Sequence, residues 1–267
     1  MKFKIDHDLH IHSKHSLCSS DPLQTTENIL KYGIDNGLKT LCLTDHYWDP
    51  AVEGASDWYA AQTDIKVMKP VPQAENCKFL FGCETDMDKN FKIGISKEKQ
   101  MEMDFIIVPT THLHMTGFTY DKSHHNVAGK TELYVKRFEA FLNADLPFKK
   151  TGIAHLTTSL IHKDNDGFLQ VLDNISDTTF EKLFKGCADL GCGVELNIGL
   201  KFLNDSDKMK SILRPLKIAK AMGCKFYLGS DAHTPDKLLL SRDRFEGMVE
   251  ALGLTEDDKF PFVRKGQ

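Results

Sequence analysis

The chain repeats one pattern of apolar and polar positions: an amphipathic helix, a glycine, a short apolar run, and then a polar residue of a metal-binding type. Residues 25–36 form the first predicted helix, because their apolar side chains recur at helical spacing. Gly37 is predicted to end this helix in the left-handed conformation. The apolar run 41–43 then predicts a buried strand just before His46.

The same pattern predicts seven strands and five helices in all. The strands are expected in the stretch 8–13 and at 41–43, 78–81, 105–108, 152–154, 193–197 and 226–228. The helices are expected at 25–36, 131–144, 177–190, 207–222 and 242–252. Strands that alternate with helices indicate a parallel sheet, and seven of them without a linker favour one closed α/β barrel over residues 1–267.

Nine side chains of metal-binding type stand at the C-terminal ends of these strands, where barrels build their active sites. They are His10, His12, Asp21, His46, Glu84, His112, His155, Asp231 and His233. His10 and His12 are two residues apart, so on a strand they face the same side and can hold one ion. Imidazoles and carboxylates suit zinc, manganese or iron, and this set is large enough for two or three divalent ions with a bridging carboxylate.

Two long segments leave the face that carries these ligands. Residues 47–76 and 113–130 are rich in aromatic side chains and carry no predicted strand or helix. Loops of this length are commonly lids or specificity loops over an active site, and this is the interpretation preferred here. The alternative is a pair of solvated insertions that tolerate aromatic residues.

Composition narrows the class of partner. The net charge is −4, which argues against long nucleic acid as a partner without excluding a short strand end. The seven cysteines include no CxxC pair and are expected to be reduced thiols in the core. The absence of a long apolar segment and of a signal peptide predicts no membrane partner and a cytoplasmic location. The sequence predicts no particular oligomeric state.

The order of these motifs resembles the PHP superfamily, the polymerase and histidinol phosphatase domain. The resemblance runs from Asp8 to about His233 and rests on DLHIHS, LTDH, the Glu of GCE, the His after FIIVPTT, GIAH, VELN and GSDAH. It implies a distorted (β/α)7 TIM-like barrel, in a single domain, with a trinuclear metal centre. The first ion would take His10, His12, Glu84 and Asp231; the second Glu84, His112 and His155; the third Asp21, His46 and His233.

Two of these assignments have alternatives. Asp21 is preferred as the third ligand of the first motif because of its spacing to the first helix, as in relatives, and His15 and Cys18 are the alternatives. His112 competes with His114, because the motif here is about a residue longer than usual. His114 is otherwise predicted to contact the substrate or to act as an acid carried by a lid.

The resemblance implies a metal-dependent phosphoesterase that hydrolyses a small phosphomonoester by attack of a metal-bound hydroxide. Asp231 or His233 would carry the proton to the leaving group. Length and motifs are closest to the stand-alone histidinol-phosphatase branch, which acts in histidine biosynthesis. The alternatives are a 3′–5′ exonuclease or nucleotide phosphatase of the PHP type and, from another class, a metal-binding protein without catalysis.

One position departs from the histidinol-phosphatase pattern. Those relatives tend to carry an arginine after the strand that ends in asparagine, whereas here Asn197 is followed by Lys201. Lysine offers a point charge in place of a bidentate fork. Asn197, Lys201 and His114 are therefore the predicted substrate-binding residues. The arginines that could compensate are Arg137, Arg242 and Arg244.

Overall fold

Short parallel strands alternate with helices along the computed structural model, which describes residues 1–19, 21–62, 69–164, 166–197 and 205–264. The strands are β1 (His7–Ile11), β2 (Thr40–Leu43), β3 (Lys78–Phe81), β4 (Cys83–Glu84), β5 (Ile106–Val108), β6 (Thr151–Ile153), β7 (Gly193–Leu196) and β8 (Lys225–Leu228). The helices are α1 (Thr26–Asp35), α2 (Asp57–Ala60), α3 (Lys97–Glu102), α4 (Val127–Leu142), α5 (Gly167–Asn174), α6 (Asp177–Leu190), α7 (Ser206–Ala221), α8 (Pro235–Leu239), α9 (Ser241–Ala251) and α10 (Pro261–Arg264).

The described strands form two parallel sheets, in the orders β1-β2-β3 and β4-β5-β6-β7-β8. Gly82 separates β3 from β4, so the chain passes there from one sheet to the other. Its amide donates to the carbonyl of Leu43, at 2.8 Å. A side chain at this position would collide with the carbonyl oxygen of Phe105, which explains why the crossing residue is glycine.

The last strand lies beside the first. The amide of Asp231 donates to the carbonyl of His10 at 2.7 Å, and that of His12 donates to the carbonyl of Ala232 at 3.0 Å. The parallel α/β order predicted from the sequence is confirmed. The closed ring of seven strands remains a prediction.

Side chains replace much of the main-chain ladder between β8 and β1. The amide of Leu228 donates to Nε2 of His7 at 3.0 Å. The amide of Ser230 donates to Oδ1 of Asp8 at 2.9 Å. Both acceptors are buried, so these bonds satisfy main-chain groups that the ladder leaves open.

An irregularity in β1 helps to aim the first histidines. Asp8 pairs with Leu41 but Ile11 pairs with Leu43, so three steps along β1 match two along β2. This register shift interrupts the regular pairing of the two strands, and irregularities of the β-bulge type commonly re-aim a side chain next to an active site. It interrupts the strict alternation of β1, so that Leu9 lies in the inner core and His10 still faces the site.

The core has two parts, one among the strands and one between the strands and the helices. The inner cluster comprises Leu9, Cys42, Leu80, Phe105, Ile107, Ala154, Tyr227 and Phe260. The larger outer cluster includes the stacked rings of Phe180 and Phe184, whose centroids are 5.9 Å apart. Six of the seven cysteines are buried free thiols and Cys18 is exposed. None of the helices in the described ranges is long and apolar enough to cross a membrane.

Candidate metal centre

The parallel strands deliver most of the predicted ligands to one end of the fold. His10 lies within β1, Glu84 ends β4, and the others lie within five residues beyond the end of a strand. Those others are His12, His46, His112, His155, Asp231 and His233. Because parallel strands point the same way, their C-terminal ends gather these side chains on one face.

Glu84 is the centre of the cluster, and its carboxylate contacts five imidazoles. Its Oε2 atom lies 3.1–3.4 Å from a nitrogen of each of three imidazoles, His10, His12 and His46. Its Oε1 atom lies 3.2 Å from Nε2 of His155 and 3.6 Å from Nε2 of His112. The two oxygens of Glu84 therefore face two separate groups of imidazoles, as a bridging carboxylate would.

Asp231 closes the cluster on the side of β8. Its Oδ1 atom lies 3.2 Å from Nε2 of His12 and 3.6 Å from Nε2 of His10. Nδ1 of His233 donates to the main-chain carbonyl of Asp231 at 2.7 Å, which leaves Nε2 of that ring to face the cluster. Among these residues Asp231 and His233 are the more exposed, with 26% and 16% of their side chains accessible.

Two residues of the cluster hold a strained backbone. His155 has φ = 61° and Asp231 has φ = 52°, a left-handed conformation that side chains other than glycine rarely adopt. Such strain is typical of functional sites, where the surrounding structure holds a side chain in a required direction.

Burial and charge set the protonation of the cluster. Burial would raise the pKa of Glu84, but the imidazoles of His46, His10 and His112 lower that pKa well below the usual range of a carboxyl. Burial lowers the pKa of His46 to about 3 and that of His233 to about 4. Both rings are therefore neutral near pH 7, which is the form that binds metals.

A buried oxygen at the centre of the cluster lacks a hydrogen-bond partner, and a cation would satisfy it. This atom is Oε2 of Glu84, which makes no hydrogen bond within the described ranges. Unpaired buried groups are costly unless they bind an ion. Three sets of side chains could each hold an ion, their ligand atoms lying within 4.8 Å of one another: His10, Glu84 and His155; His10, His12 and Asp231; His12, Cys18, His46 and His233. The donors fit zinc, manganese or iron.

Glu195 orients two of the histidines. Its Oε1 atom lies 2.5 Å from Nδ1 of His10, and its Oε2 atom accepts from the amide of His155 at 3.0 Å. The position of Glu195 in its strand, two residues before Asn197, is equally compatible with a side chain that fills the barrel. The contact to His10 is of the kind that fixes the ring of a metal-binding histidine.

Asp86 supports His112 in the same way, although no motif in the sequence predicted this role. Its Oδ1 atom lies 3.0 Å from Nδ1 of His112, and its Oδ2 atom accepts from the hydroxyl of Tyr59 at 2.6 Å. Asp86 follows Glu84 by two residues, and this spacing, the same as that of His10 and His12, could have revealed it.

The structure brings Cys18, and not Asp21, to the group that contains His46 and His233. Oδ1 of Asp21 accepts from the amide of Leu23 at 2.8 Å, so this carboxylate closes a turn. His15, the other alternative, is in none of the three groups formed by the described residues.

The predicted substrate-binding residues have different outcomes. His114 lines the cavity above the cluster, and its ring centroid is 5.1 Å from that of His112. Asn197 is buried just past the end of β7. Lys201 lies outside the described residues.

The three arginines that could take the place of the missing phosphate-binding arginine have other partners in the described part of the chain. Arg137 is buried and donates to four main-chain carbonyls, those of Thr110, Asp88, Thr119 and Met87. Arg242 is paired with Glu246, and Arg244 donates to the carbonyl of Ser230. None of the three is among the described residues that line the cavity above the cluster. The main chain occupies the guanidinium of Arg137, and which basic residue holds phosphate stays a prediction.

A cavity of about 510 Å³ opens above the cluster. The ligand-type residues form its floor, and Trp58, Met115, Phe118 and Leu160 form an apolar wall. Trp58 and Phe118 come from the two long segments that were predicted to be lids. The lining formed by the described residues includes no lysine or arginine.

Comparisons with known proteins identify the domain family and similar folds. The family model of the PHP domain matches residues 8–198. The histidinol phosphate phosphatase of Lactococcus lactis, solved in complex with zinc, L-histidinol and phosphate, is 18% identical over 94% of each chain, with a TM-score of 0.59. A candidate histidinol phosphatase from Listeria monocytogenes is 14% identical over 90% of this chain and 100% of its own, with a TM-score of 0.64. No curated protein matches the sequence significantly. At these low identities, the similarity shows that this chain shares the fold of the two solved structures.

Proposed function

This chain belongs to the PHP domain family, and we propose that it is a metal-dependent phosphoesterase that hydrolyses a small phosphomonoester. The observation that carries the proposal is Glu84, a buried carboxylate whose two oxygens face two groups of imidazoles. Bound divalent ions would acidify a water to form the nucleophile and would offset the charge of the phosphate oxygens. Two or three such ions, of zinc, manganese or iron, fit the donors.

The protein's own groups would hold the ions and move the proton. The ligands proposed are His10, His12, His46, Glu84, His112, His155, Asp231 and His233. Asp231 is partly exposed and ionised, because the imidazoles of His233, His12 and His155 outweigh the effect of burial and lower its pKa well below the usual range. Both predicted proton carriers lie at the cluster: Oδ1 of Asp231 faces Nε2 of His12, and Nε2 of His233 faces the cluster because Nδ1 of that ring donates to a main-chain carbonyl.

We also propose that the two sheets act together as one distorted (β/α)7 barrel in a single domain. The crossing at Gly82 and the hydrogen bonds between β8 and β1 support this arrangement. Its C-terminal mouth would hold the ions, and the segments that carry Trp58 and Phe118 would cover them.

The cavity favours a small ester with an apolar or flat leaving group. Its wall is formed by large apolar side chains, and the described lining offers no cation for a second phosphate. These features support a monoester over a nucleotide or a nucleic-acid end. Histidinol phosphate is the specific substrate proposed, with His114, Asn197 and Lys201 as candidate contacts, and its support comes from the two fold neighbours.

A panel of phosphate esters tests the function. Metal-loaded protein would be assayed with histidinol phosphate, p-nitrophenyl phosphate, nucleoside monophosphates and a short DNA with a 3′ overhang. We expect hydrolysis of small monoesters and metal analysis showing two or three ions per chain. Less than one ion per chain would remove the mechanism, and bound metal without turnover on any ester would favour a non-catalytic metal-binding protein.

Glu195→Gln is expected to weaken metal binding while leaving the fold intact. The amide keeps the size of the side chain but loses the charge that faces Nδ1 of His10. Loss of such a supporting contact typically lowers metal affinity by about 10- to 100-fold. Titration against a chelator of known affinity measures this, with the exposed Glu181→Gln as control. An unchanged affinity with a lower melting temperature of the metal-free protein would indicate a purely structural role.

Trp58→Ala is expected to lower kcat/KM for esters with an aromatic leaving group. Trp58 forms part of the cavity wall and its ring lies edge-on to His46, at 5.0 Å between centroids. Loss of one aromatic contact corresponds to about a threefold to tenfold decrease. Steady-state kinetics with phenyl and methyl phosphate measure the selectivity, and Trp58→Phe should retain most of it. Equal losses on both esters would show that Trp58 does not contact the leaving group.

A further inference from the structure

We propose that Cys18 binds one of the metal ions through its thiolate, together with His46 and His233, in a sulfur–nitrogen site that selects zinc. This inference rests on the proposed metal centre, but not on its phosphoesterase activity. The ligands would then differ between the sites of the metal centre: one site would include a thiolate, and the others would have only imidazole and carboxylate ligands.

The placement of Cys18 supports the proposal first. One ligand atom each from Cys18, His46, His233 and His12 lie within 4.8 Å of one another. Zinc binds sulfur at about 2.3 Å and imidazole nitrogen at about 2.0–2.1 Å. Small rotations of these side chains would therefore bring them around a single ion.

The loop that carries Cys18 is fixed against the site by hydrogen bonds. The hydroxyl of Ser19 donates to the carbonyl of His233 at 2.6 Å. At the other side of the loop, the side-chain amide of Gln24 donates to the carbonyl of His12 at 2.9 Å. The two accepting carbonyls belong to His233 and His12, which are in the same group of candidate ligands as Cys18. These hydrogen bonds therefore hold the loop so that the Cys18 thiol lies over the cluster.

An independent observation indicates a cation here. Oε2 of Glu84 is buried without a hydrogen-bond partner in the described part of the chain, and it lies 3.1 Å from Nδ1 of His46. Cys18 also differs from the other six thiols, which are buried, because it is exposed and lines the cavity above Glu84. An exposed thiol at a group of imidazoles has the surroundings of a ligand and not those of a core residue.

The donor set determines which metal is preferred. Thiolate is a soft ligand that favours zinc over manganese or magnesium, which prefer oxygen. If His12 serves the ion it shares with His10, the Cys18 site has three protein ligands and one open position. Three ligands and an open position are typical of catalytic zinc.

Cobalt substitution tests the proposal without an activity assay. Wild-type protein loaded with Co²⁺ should show a near-ultraviolet sulfur-to-cobalt charge-transfer band, and Cys18→Ser should lack it. Zinc analysis should find one ion fewer per chain in Cys18→Ser. Cys18→His should regain the ion without the band. Asp21→Asn, in the same loop, is the matched control and should keep both the ion and the band.

Other outcomes would overturn this inference, the proposed function or both. A charge-transfer band that persists in Cys18→Ser, or a zinc content that the substitution leaves unchanged, would overturn the proposal. Protein that binds no metal would overturn both this inference and the proposed function. A normal band in a protein that hydrolyses no phosphate ester would support the thiolate site and overturn the phosphoesterase.

Discussion

Glu84→Gln is expected to abolish phosphoesterase activity and to remove most of the bound metal. The carboxylate faces five imidazoles through two oxygens, whereas a carboxamide offers one oxygen and turns an NH₂ group towards the other imidazoles. The glutamine could no longer offer an anionic oxygen to each group of imidazoles, and it would not balance the charge of divalent ions held in this buried site. We expect kcat/KM to decrease by about 10³-fold or more, the scale for loss of a group that stabilises developing charge.

The measurement combines kinetics on the best ester of the panel with metal analysis of the same preparation. Glu132→Gln is the matched control, because Glu132 is exposed on α4 and pairs only with Lys136 among the described residues. This control should retain activity and metal. If Glu84→Gln kept the wild-type number of ions, the bridging role of Glu84 would be excluded.

Arg137→Met is expected to destabilise the fold strongly, although Arg137 does not line the cavity. Its guanidinium is fully buried and donates to four carbonyls, from residues 87, 88, 110 and 119. Burial lowers its pKa to about 10, so it remains a cation at neutral pH. Methionine fills a similar volume but cannot donate to these carbonyls, of which that of Asp88 still accepts from the amide of Phe91. A buried acceptor left without a partner costs about 1–3 kcal/mol, so the substitution should lower the free energy of unfolding by about 3 kcal/mol or more.

Urea denaturation of the metal-free protein measures this cost. Arg242→Met is the control, because that side chain is exposed and its loss should change stability by less than about 0.5 kcal/mol. Arg137→Lys should recover only part of the stability, since an ammonium cannot reach four carbonyls in the geometry of a guanidinium. An effect of Arg137→Met no larger than that of Arg242→Met would mean that water replaces the guanidinium.

Periodicity predicted most of the long elements, because their apolar faces are continuous. The helix expected at 177–190 is α6, with the predicted bounds, and Gly191 after it has φ = 73°. The helix expected at 131–144 begins earlier, at Val127, since the side chain of Asn126 caps the amide of Gly129. Short helices such as α2 have too few residues to show a period.

The order of the motifs predicted the family, and the family match confirms the resemblance. The pairing of His10 with His12 and the central position of Glu84 follow from strand geometry and from motif order. The choice between Asp21 and Cys18 could not follow from either. It depends on how the loop after β1 closes, through the hydrogen bond from the amide of Lys14 to the carbonyl of Gln24 at 2.7 Å.

The structural role of Arg137 could not be predicted from the sequence either, because the sequence shows a cation but not the carbonyls that surround it. Its partners come from segments up to 50 residues away along the chain. Lys201 stays a prediction. The number and the identity of the ions also stay predictions. The chemistry of the ligands narrows the choice of metal but does not determine it.

At the junction between the first and last strands, bound ions would also stabilise the fold. His10 lies in the first of the two sheets and His12 directly follows its first strand. Asp231 follows the last strand of the second sheet, and side chains replace part of the ladder between these strands. An ion bound by these three residues would link the two sheets at the edge where side chains replace part of the main-chain hydrogen bonding. Chelators would then open the molecule at this edge, and resistance to heat would rise with the concentration of free metal by mass action.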